Sequence, residues 1–232
     1  MTTPDPDNQT VPTHVAIIMD GNRRWAKNKG LDTNSGHREG YERFKEIVDL
    51  CFAKGVKNVT VYAFSTENWK RTEDEVGGLM NLMTFAIKNE IQNYKDRDTR
   101  VNIIGRKRNL PQNLQKELVN IESETADRRG SVLNVALSYG GRAEIVDAVN
   151  MAITKGEKIT EDSISANLYT AGQPDPDLII RTGGNPRLSN FLIWQSSYSE
   201  IYLTDVLWPD FNENELDKAL AFFSDIKRNF GK

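Results

Sequence analysis

Short apolar runs alternate with longer amphipathic stretches along this sequence. The run Val15–Met19 is unbroken, which is typical of a strand buried on both faces of a parallel sheet, and Val59–Phe64 predicts a second strand. Apolar residues with helical spacing occupy 40–54 and 73–95, and each stretch is expected to form a long helix. Residues 27–38 are rich in Gly, Asn and Lys and predict a loop.

The same alternation continues towards the C-terminus. Strands are predicted at Val101–Gly105, Val132–Leu137 and Leu178–Ile180, a sixth apolar run covers Phe191–Trp194, and helices are predicted at 111–128, 143–154, 160–170 and after Asn212. No repeat of about 20–50 residues interrupts the pattern. The order of elements therefore predicts an α/β protein, with one parallel, doubly wound sheet covered by helices on both faces.

The length of the chain, 232 residues, suits one sizeable domain, and no change in composition indicates a second. Residues 1–12 are polar and contain three prolines, so they predict a flexible tail. The folded domain is therefore expected to span residues 13–232.

Charge and composition exclude several classes of protein. Charged residues make up 27% of the chain and the formal net charge is -3, so the basic excess of a nucleic-acid-binding protein is absent. No apolar run approaches the ~18 residues of a membrane span, and the first residues do not match a signal peptide. The single cysteine, Cys51, lies on an apolar helix face, which indicates a buried structural thiol. These features predict a cytoplasmic protein.

Candidate chemistry first appears where the first strand ends. Asp20 follows the apolar run, Gly21-Asn22 allows a sharp turn, and Arg23 and Arg24 begin the next helix. Guanidiniums and free helix N–H groups suit a phosphate, and Asp20 suits a divalent cation held between protein and phosphate. An ordinary strand–turn–helix junction with a capping Asp explains the same residues at this point.

Two further strands end in polar groups of the same kind. The second predicted strand is followed by STENWKR from Ser65, and the fifth by RTGGNPRLSN from Arg181. Arginines with glycines and a serine between them can enclose a diphosphate. Neither the P-loop motif nor the GxGxxG dinucleotide motif occurs here. His37 lies within GHREG, where a surface histidine and a diphosphate contact are both open.

The helix predicted at 73–95 carries apolar residues on more than one face. They are Val76, Leu79, Met80, Leu82, Met83, Phe85, Ala86, Ile87 and Ile91. This pattern fits a buried core helix, and it also fits a helix whose second face lines an apolar ligand channel.

Five blocks of the sequence together resemble the cis-prenyltransferases, above all the bacterial undecaprenyl diphosphate synthases. They are HVAIIMDGNRRWAK, GHREGYE, YAFSTENWKR, NVALSYGGRAEI and RTGGNPRLSNFLIWQSSYSEIYLTDVLWPDF, in this order from about residue 14 onward. Five blocks in one order at compatible spacing make a specific match. The DDxxD pairs of the trans-prenyltransferases are absent from the sequence.

The resemblance implies a fold and a reaction. The implied fold is a six-stranded, mainly parallel sheet in a homodimer, with a hydrophobic tunnel beside the sheet. The implied reaction condenses isopentenyl diphosphate repeatedly onto an allylic diphosphate such as farnesyl diphosphate, with Mg²⁺ as cofactor, to give a long cis-polyprenyl diphosphate such as undecaprenyl diphosphate. Release of the product implies transient contact with the inner membrane surface. The alternatives are a different product length, or a non-catalytic partner subunit, against which Asp20, Arg24, Arg181 and Arg187 argue.

The resemblance also implies roles for individual residues. Asp20 and Asn68 are expected to be catalytic, and Asp20 and Glu200 are expected to bind magnesium. Substrate contacts are expected from Gly21, Asn22, Arg23, Arg24, Trp25, His37, Arg38, Ser65, Trp69, Arg71, Arg181, Arg187 and Ser189. Residues of the product tunnel are expected to be Ala63, Leu79, Met83 and Ile87. A diphosphate oxygen, Asn22 with a water, and Ser65 are all open as the acceptor of the proton lost in each cycle.

The chain departs from the family's pattern at three places. Arg23 stands where many relatives have a small residue, and Asn185-Pro186 replaces an acidic and a polar residue. Asn229 stands where many relatives have an arginine in an R-x-G motif. The last departure puts in question whether a partner subunit contributes to the isopentenyl site.

Overall fold

The computed structural model describes residues 11–226, and within this range six strands and seven helices alternate. The strands are β1 (His14–Ile18), β2 (Asn58–Ser65), β3 (Thr99–Ile104), β4 (Ser131–Tyr139), β5 (Leu178–Arg181) and β6 (Glu200–Leu203). The helices are α1 (Asn22–Asn28), α2 (Thr33–Ala53), α3 (Glu73–Asp96), α4 (Gln112–Glu124), α5 (Gly141–Thr154), α6 (Glu161–Ser165) and α7 (Glu213–Asp225). The predicted flexibility of residues 1–10 and the departure at Asn229 fall outside the described residues.

The strands form one sheet in the order β3-β4-β2-β1-β5-β6, and every pairing is parallel. The predicted α/β fold with a six-stranded sheet is confirmed, and the sheet is wholly rather than mainly parallel. Strands β2, β3 and β4 lie on one side of β1, and β5 and β6 lie on the other. The direction in which strands are added to the sheet therefore reverses between β1 and β5. In open parallel sheets the crevice at the carboxyl ends beside such a point is the usual ligand site.

Alternate residues of the buried strands enter two different hydrophobic clusters. Val15 and Ile17 of β1 belong to the larger cluster, which also contains apolar residues of α2, α3, α4 and α7. Ala16 and Ile18 belong to a smaller cluster on the other face, with Phe191 as one of its members. Helices α2, α3, α4 and α7 therefore cover the face of the sheet that carries the larger cluster.

The prediction of a loop at 27–38 is wrong, because α1 continues to Asn28 and α2 begins at Thr33. The side chain of Asp32 accepts a hydrogen bond from the Ser35 backbone N–H (2.9 Å) and caps α2. Gly36 and Gly40 lie inside this helix, where a Cβ on either would collide with Asn22. The glycines thus allow α1 and α2 to pack closely, and they do not mark a turn.

The sixth apolar run, Phe191–Trp194, is not a strand, and the sixth strand is instead Glu200–Leu203. Asn190 and Leu192 have left-handed backbone conformations, with φ of 65° and 43°, which no strand accommodates. Phe191 and Leu192 are nevertheless fully buried in the smaller cluster. The run is apolar because, as an irregular segment, it packs against the face of the sheet that carries Ala16 and Ile18.

Other expectations differ only at element boundaries. The helix predicted at 160–170 is shorter, Glu161–Ser165, and Asn212 caps α7 by accepting a hydrogen bond from Glu215 N–H (3.3 Å). Among residues 11–226, no helix combines the length and apolar character needed to cross a membrane.

We expect Cys51, the only cysteine of the chain, to resist thiol reagents in the folded protein. Its side chain is fully buried, and burial raises the pKa of the thiol to about 12, so almost no thiolate exists near neutral pH. Titration with a chromogenic disulfide reagent at about pH 8 should detect no thiol until guanidinium is added. Rapid modification of the folded protein would contradict this placement.

Candidate active site

A cavity of about 710 Å³ opens at the carboxyl edge of the sheet and extends between the sheet and α3. Its polar lining residues include Asp20, Asn22, His37, Ser65, Asn68, Arg71, Arg181, Arg187 and Ser189. Its apolar lining residues include Phe44, Ala63, Leu79, Leu82, Met83, Ala86, Ile87, Ile103 and Leu133. One cavity therefore brings together nine of the predicted polar residues and all four residues predicted for the tunnel.

Asp20 follows β1 at the mouth of this cavity and accepts several hydrogen bonds. Its Oδ2 accepts from Arg181 Nη2 (2.9 Å) and from Asn185 Nδ2 (2.9 Å), while its Oδ1 lies 3.3 Å from Arg24 Nη2. Partial burial raises the pKa of Asp20. The hydrogen bonds from Asn185 and Arg181 and the charges of Arg181 and Arg24 together lower the pKa by more than burial raises it, so the net pKa is below its usual value. Asp20 is a carboxylate at neutral pH.

Arg181 is almost completely buried, with 4% of its side chain exposed. Its Nη1 donates to the backbone oxygen of Arg187 and to Ser189 Oγ (2.8 Å), and these contacts hold the segment after β5 over the cavity. Its Nε is one of the few buried polar side-chain atoms in the described chain that lack a hydrogen-bond partner. A buried cation with an unused donor beside a cavity favours binding of an anion.

The segment after β5 depends on two glycines in left-handed conformations, Gly183 (φ 78°) and Gly184 (φ 71°). Their N–H groups donate to the backbone oxygens of Val206 (2.8 Å) and Thr204 (2.9 Å). A Cβ on Gly183 would collide with Arg24 Nη2 and lie 3.0 Å from the Asp20 carbonyl oxygen. Gly183 and Gly184 therefore allow this segment to lie close to Asp20 and Arg24.

Glu75 joins two arginines and a histidine at the other side of the mouth. Its Oε1 lies 2.8 Å from Arg71 Nη1, 3.3 Å from His37 Nε2 and 3.8 Å from Arg23 Nε. His37 is 8% exposed, so the interpretation as a surface histidine is wrong. Burial lowers the pKa of His37 more than its hydrogen bond to Glu75 raises it, which leaves a neutral imidazole at pH 7.

Ser65 and Asn68 form a reciprocal cap where β2 ends. The Asn68 backbone N–H donates to Ser65 Oγ (3.2 Å), and the Ser65 backbone N–H donates to Asn68 Oδ1 (3.0 Å). The next residue, Trp69, donates from Nε1 to Ser138 Oγ (3.0 Å) and packs edge-on against Phe64. The reciprocal cap therefore fixes Ser65 and Asn68 beside the cavity, and the contacts of Trp69 direct its ring towards Phe64 and Ser138.

The inner part of the cavity is apolar and is closed by helices on one side. Ala63 on β2 and three residues of α3, Leu79, Met83 and Ile87, form part of its wall. Farther along, Tyr41 on α2 donates from its hydroxyl to Glu90 Oε1 (2.8 Å) on α3, and both residues line the cavity. Between the two interpretations of the helix at 73–95, the structure favours the wall of a channel.

Several predicted residues lie beside the cavity or away from it. Gly21 (φ 122°) precedes α1, and Arg38 is exposed on α2. The side chains of Arg23 and Arg24 are 61% and 48% exposed. The indole N–H of Trp25 donates to Asp210 Oδ1 (2.8 Å). Glu200 pairs with Leu178 at the amino end of β5, whereas Asp20 follows the carboxyl end of β1. Within one chain, the sheet register therefore places Glu200 at the opposite edge from Asp20.

Sequence reasoning missed three polar residues of the site. Neither Glu75 nor Tyr62 is singled out from the sequence, and Asn185 is treated there only as a departure from the family's pattern. Tyr62 lines the cavity, donates from its hydroxyl to the Tyr139 carbonyl oxygen (3.2 Å) and stacks on Phe191. The position of Asn185 between two arginines of the segment after β5 was the signal that could have pointed to it.

Comparison with known proteins decides the family. The family model described as "Putative undecaprenyl diphosphate synthase" matches residues 18–231. The chain belongs to the undecaprenyl diphosphate synthase family. An isoprenyl transferase from Fusobacterium nucleatum is 52% identical over 224 residues, which cover 96% of this chain and 97% of that protein. One from Clostridium perfringens is 48% identical over 228 residues, covering 95% and 90%.

Two solved structures of this family resemble the fold. Lavandulyl diphosphate synthase from Lavandula x intermedia, in complex with dimethylallyl diphosphate, has a TM-score of 0.91 and 35% identity, covering 96% of this chain and 99% of that one. A probable undecaprenyl diphosphate synthase from Campylobacter jejuni has a TM-score of 0.82 and 31% identity, covering 96% and 100%. The predicted family and prenyltransferase activity are confirmed: the protein is a cis-prenyltransferase, and the cavity at Asp20 and Arg181 is its candidate active site.

We expect Gly183→Ala to destabilise this prenyltransferase more than Gly156→Ala. Both glycines have left-handed φ (78° and 72°), so alanine at either costs about 1–2 kcal/mol in backbone strain. Only at Gly183 does the added Cβ also collide with Arg24, since nothing lies within 4 Å of a Cβ at Gly156. Urea unfolding of the two variants measures the difference, and equal losses would show that the segment after β5 is loosely packed.

Proposed function

We propose that this cis-prenyltransferase condenses isopentenyl diphosphate repeatedly onto farnesyl diphosphate to give a long-chain product such as undecaprenyl diphosphate. The observation that carries the proposal is a single cavity with Asp20 and buried Arg181 at its mouth and apolar residues of α3 along its wall. Such a cavity suits a molecule with an anionic head and a long hydrocarbon tail. A relative solved in complex with dimethylallyl diphosphate supports an allylic diphosphate as substrate.

The isopentenyl diphosphate is proposed to bind at Arg181, Arg187 and Ser189. Arg181 is held in place by the backbone oxygen of Arg187 and by Ser189 Oγ, so its guanidinium is oriented before any ligand arrives. All three residues line the cavity. A guanidinium fixed in advance stabilises anionic oxygens without reorganisation, which is usually the largest catalytic effect.

The allylic diphosphate is proposed to bind on the other side of Asp20, at Gly21, Asn22, Arg24, His37 and Arg38. Asn22 lines the cavity. Arg23, Trp25, Ser65, Asn68, Trp69 and Arg71 are proposed to complete the junction between the two substrates, with Asn68 as a catalytic group beside Asp20. Glu75 forms ion pairs with both Arg71 and Arg23, so it holds the two guanidinium groups at the mouth of the cavity.

Magnesium is the proposed cofactor, and Asp20 fits it as a single carboxylate beside a diphosphate site. Mg²⁺ usually keeps several waters and binds proteins through one or two carboxylates together with substrate phosphates. The lowered pKa of Asp20 supplies the charged form that this role requires. When bound, Mg²⁺ neutralises negative charge on the diphosphate that leaves. Glu200 lies at the opposite edge of the sheet in the same chain, so we leave it out of this magnesium site.

The reaction then forms a carbon–carbon bond at the allylic carbon while the carbon–oxygen bond to its diphosphate breaks. Arg24 is placed to face the negative charge that develops on the leaving diphosphate, while Arg181 holds the isopentenyl diphosphate. The isopentenyl unit loses a proton as its double bond shifts, and a diphosphate oxygen, a water held by Asn22, and Ser65 are the candidate acceptors. The product remains an allylic diphosphate, so it can react again. The tail moves along α3, and each CH₂ that leaves water contributes about 0.8 kcal/mol.

A homodimer is proposed to form through β6 and its neighbourhood. β6 is the last strand of the sheet, and Ile201 and Leu203 on it are more than 40% exposed. An edge strand with exposed apolar residues favours pairing with another copy. The proposed location is cytoplasmic, with transient contact at the membrane surface when the lipid product leaves.

We expect Asp20→Asn and Asp20→Ala to lower turnover by on the order of 10²–10³-fold or more, because each removes the proposed magnesium carboxylate. Turnover is measured with labelled isopentenyl diphosphate, farnesyl diphosphate and Mg²⁺, and folding is checked by circular dichroism. Asp127→Asn, on an exposed residue, is the matched control. Near-normal turnover of either Asp20 variant would contradict the proposed role.

We expect Ala63→Leu to shorten the product by at least one isopentenyl unit. Ala63 lines the cavity beside the α3 wall, so a larger side chain there reduces the space for the tail. The product is dephosphorylated and its chain length is measured by mass spectrometry, with Ala166→Leu on the exposed surface as control. An unchanged length distribution would mean that the tail does not pass Ala63. A wild-type product of different length would correct the undecaprenyl assignment.

A further inference from the structure

Asn185 contacts Asp20 directly, and none of the roles given above uses it. Its Nδ2 donates to Asp20 Oδ2 (2.9 Å), the same oxygen that accepts from Arg181 Nη2 (2.9 Å). The other oxygen, Oδ1, has one longer contact, 3.3 Å to Arg24 Nη2. The two oxygens of Asp20 therefore lie in different surroundings, and Asn185 is part of the reason.

The backbone around Asn185 is held in place by its neighbours. Gly183 and Gly184 hydrogen-bond to the segment before α7, and Thr182 Oγ1 donates to the Asp20 carbonyl oxygen (2.7 Å). Asn185 itself is half-buried, and its Nδ2 also lies 3.4 Å from the Gly183 carbonyl oxygen. Its amide is therefore presented to Asp20 by a fixed turn.

We propose that Asn185 is a positioning residue that fixes the Asp20 carboxylate, holding Oδ2 against Arg181 so that Oδ1 is the oxygen available to a cation. This inference rests on the proposed function, since the cation is the one that accompanies a diphosphate. Removing the amide leaves Oδ2 with Arg181 alone and allows the carboxylate to turn. Outer hydrogen-bond partners of a metal-binding carboxylate commonly change metal affinity by about 10–100-fold when they are replaced.

Because the side chain of Asn185 is uncharged, it adds no negative charge to attract a cation beside Asp20. Asp20 is one carboxylate beside two guanidiniums, and no group of three His, Cys, Asp or Glu side chains that could hold a metal ion occurs in residues 11–226. The charges of Arg24 and Arg181 oppose the binding of a free divalent cation at Asp20. A diphosphate neutralises those arginines, so the cation and the anion bind together. A carboxylate at position 185 would remove this dependence.

The test measures binding of Mn²⁺, a paramagnetic substitute for Mg²⁺, by electron paramagnetic resonance with and without inorganic pyrophosphate. Wild type is expected to bind Mn²⁺ only when pyrophosphate is present. Asn185→Leu, of similar size, is expected to weaken that pyrophosphate-dependent binding by about 10–100-fold. Asn185→Asp is expected to bind Mn²⁺ without pyrophosphate, at least about tenfold more tightly than wild type.

The control is Asn120→Asp, which adds the same charge on an exposed residue of α4 and is expected to bind Mn²⁺ like wild type. The inference is overturned if Asn185→Leu and Asn185→Asp both bind Mn²⁺ as wild type does while retaining its circular dichroism spectrum. It is also overturned if wild type binds Mn²⁺ equally well without pyrophosphate. Failure of the proposed function is distinguishable, because it appears as an absence of chain elongation by wild type with farnesyl diphosphate.

Discussion

The active site depends on the ion pair between Asp20 and Arg181, which joins the ends of β1 and β5. These strands are neighbours in the sheet, and Ile18 of β1 is paired with Arg181 of β5. The pair is partly buried, so each charge needs the other to remain in place. Around it, Arg181 donates to the Arg187 backbone oxygen and to Ser189, while Asp20 accepts a hydrogen bond from Asn185 and lies close to Arg24. One ion pair thus organises both of the proposed diphosphate sites.

The rest of the molecule separates a charged mouth from an apolar interior. Alternation along the buried strands sends one set of side chains to the face covered by α2, α3, α4 and α7. On that face the cavity begins at Asp20 and continues beside Ala63, Met83 and Ile87. The sheet is stable because both its faces are buried, and the cavity exists because α3 does not pack fully against it.

The sequence predicted the sheet, the strand ends and most of the cavity, because buried parallel strands have a clear apolar pattern and ligands collect at their carboxyl ends. It failed where tertiary contacts decide. The glycines of GHREG were interpreted as a loop, although they serve close packing of α2 against Asn22. Phe191–Trp194 has the composition of a strand, but Leu192 within it has a left-handed backbone conformation. Two partners of Glu75, Arg23 and His37, and the partner of Asn185, Asp20, come from distant segments, which no local pattern reveals.

Two adjacent residues of α2 touch opposite parts of the cavity. Gly40 packs against Asn22, near the proposed diphosphate site, and Tyr41 hydrogen-bonds to Glu90, beside the path proposed for the tail. A helix is stiff over one residue, so a displacement of α2 that makes more room for the hydrocarbon also shifts the wall behind Asn22. Under the proposed function, a change of product length made through α2 therefore carries a catalytic cost, whereas a change at Met83 or Ile87 of α3 acts on the apolar wall of the cavity.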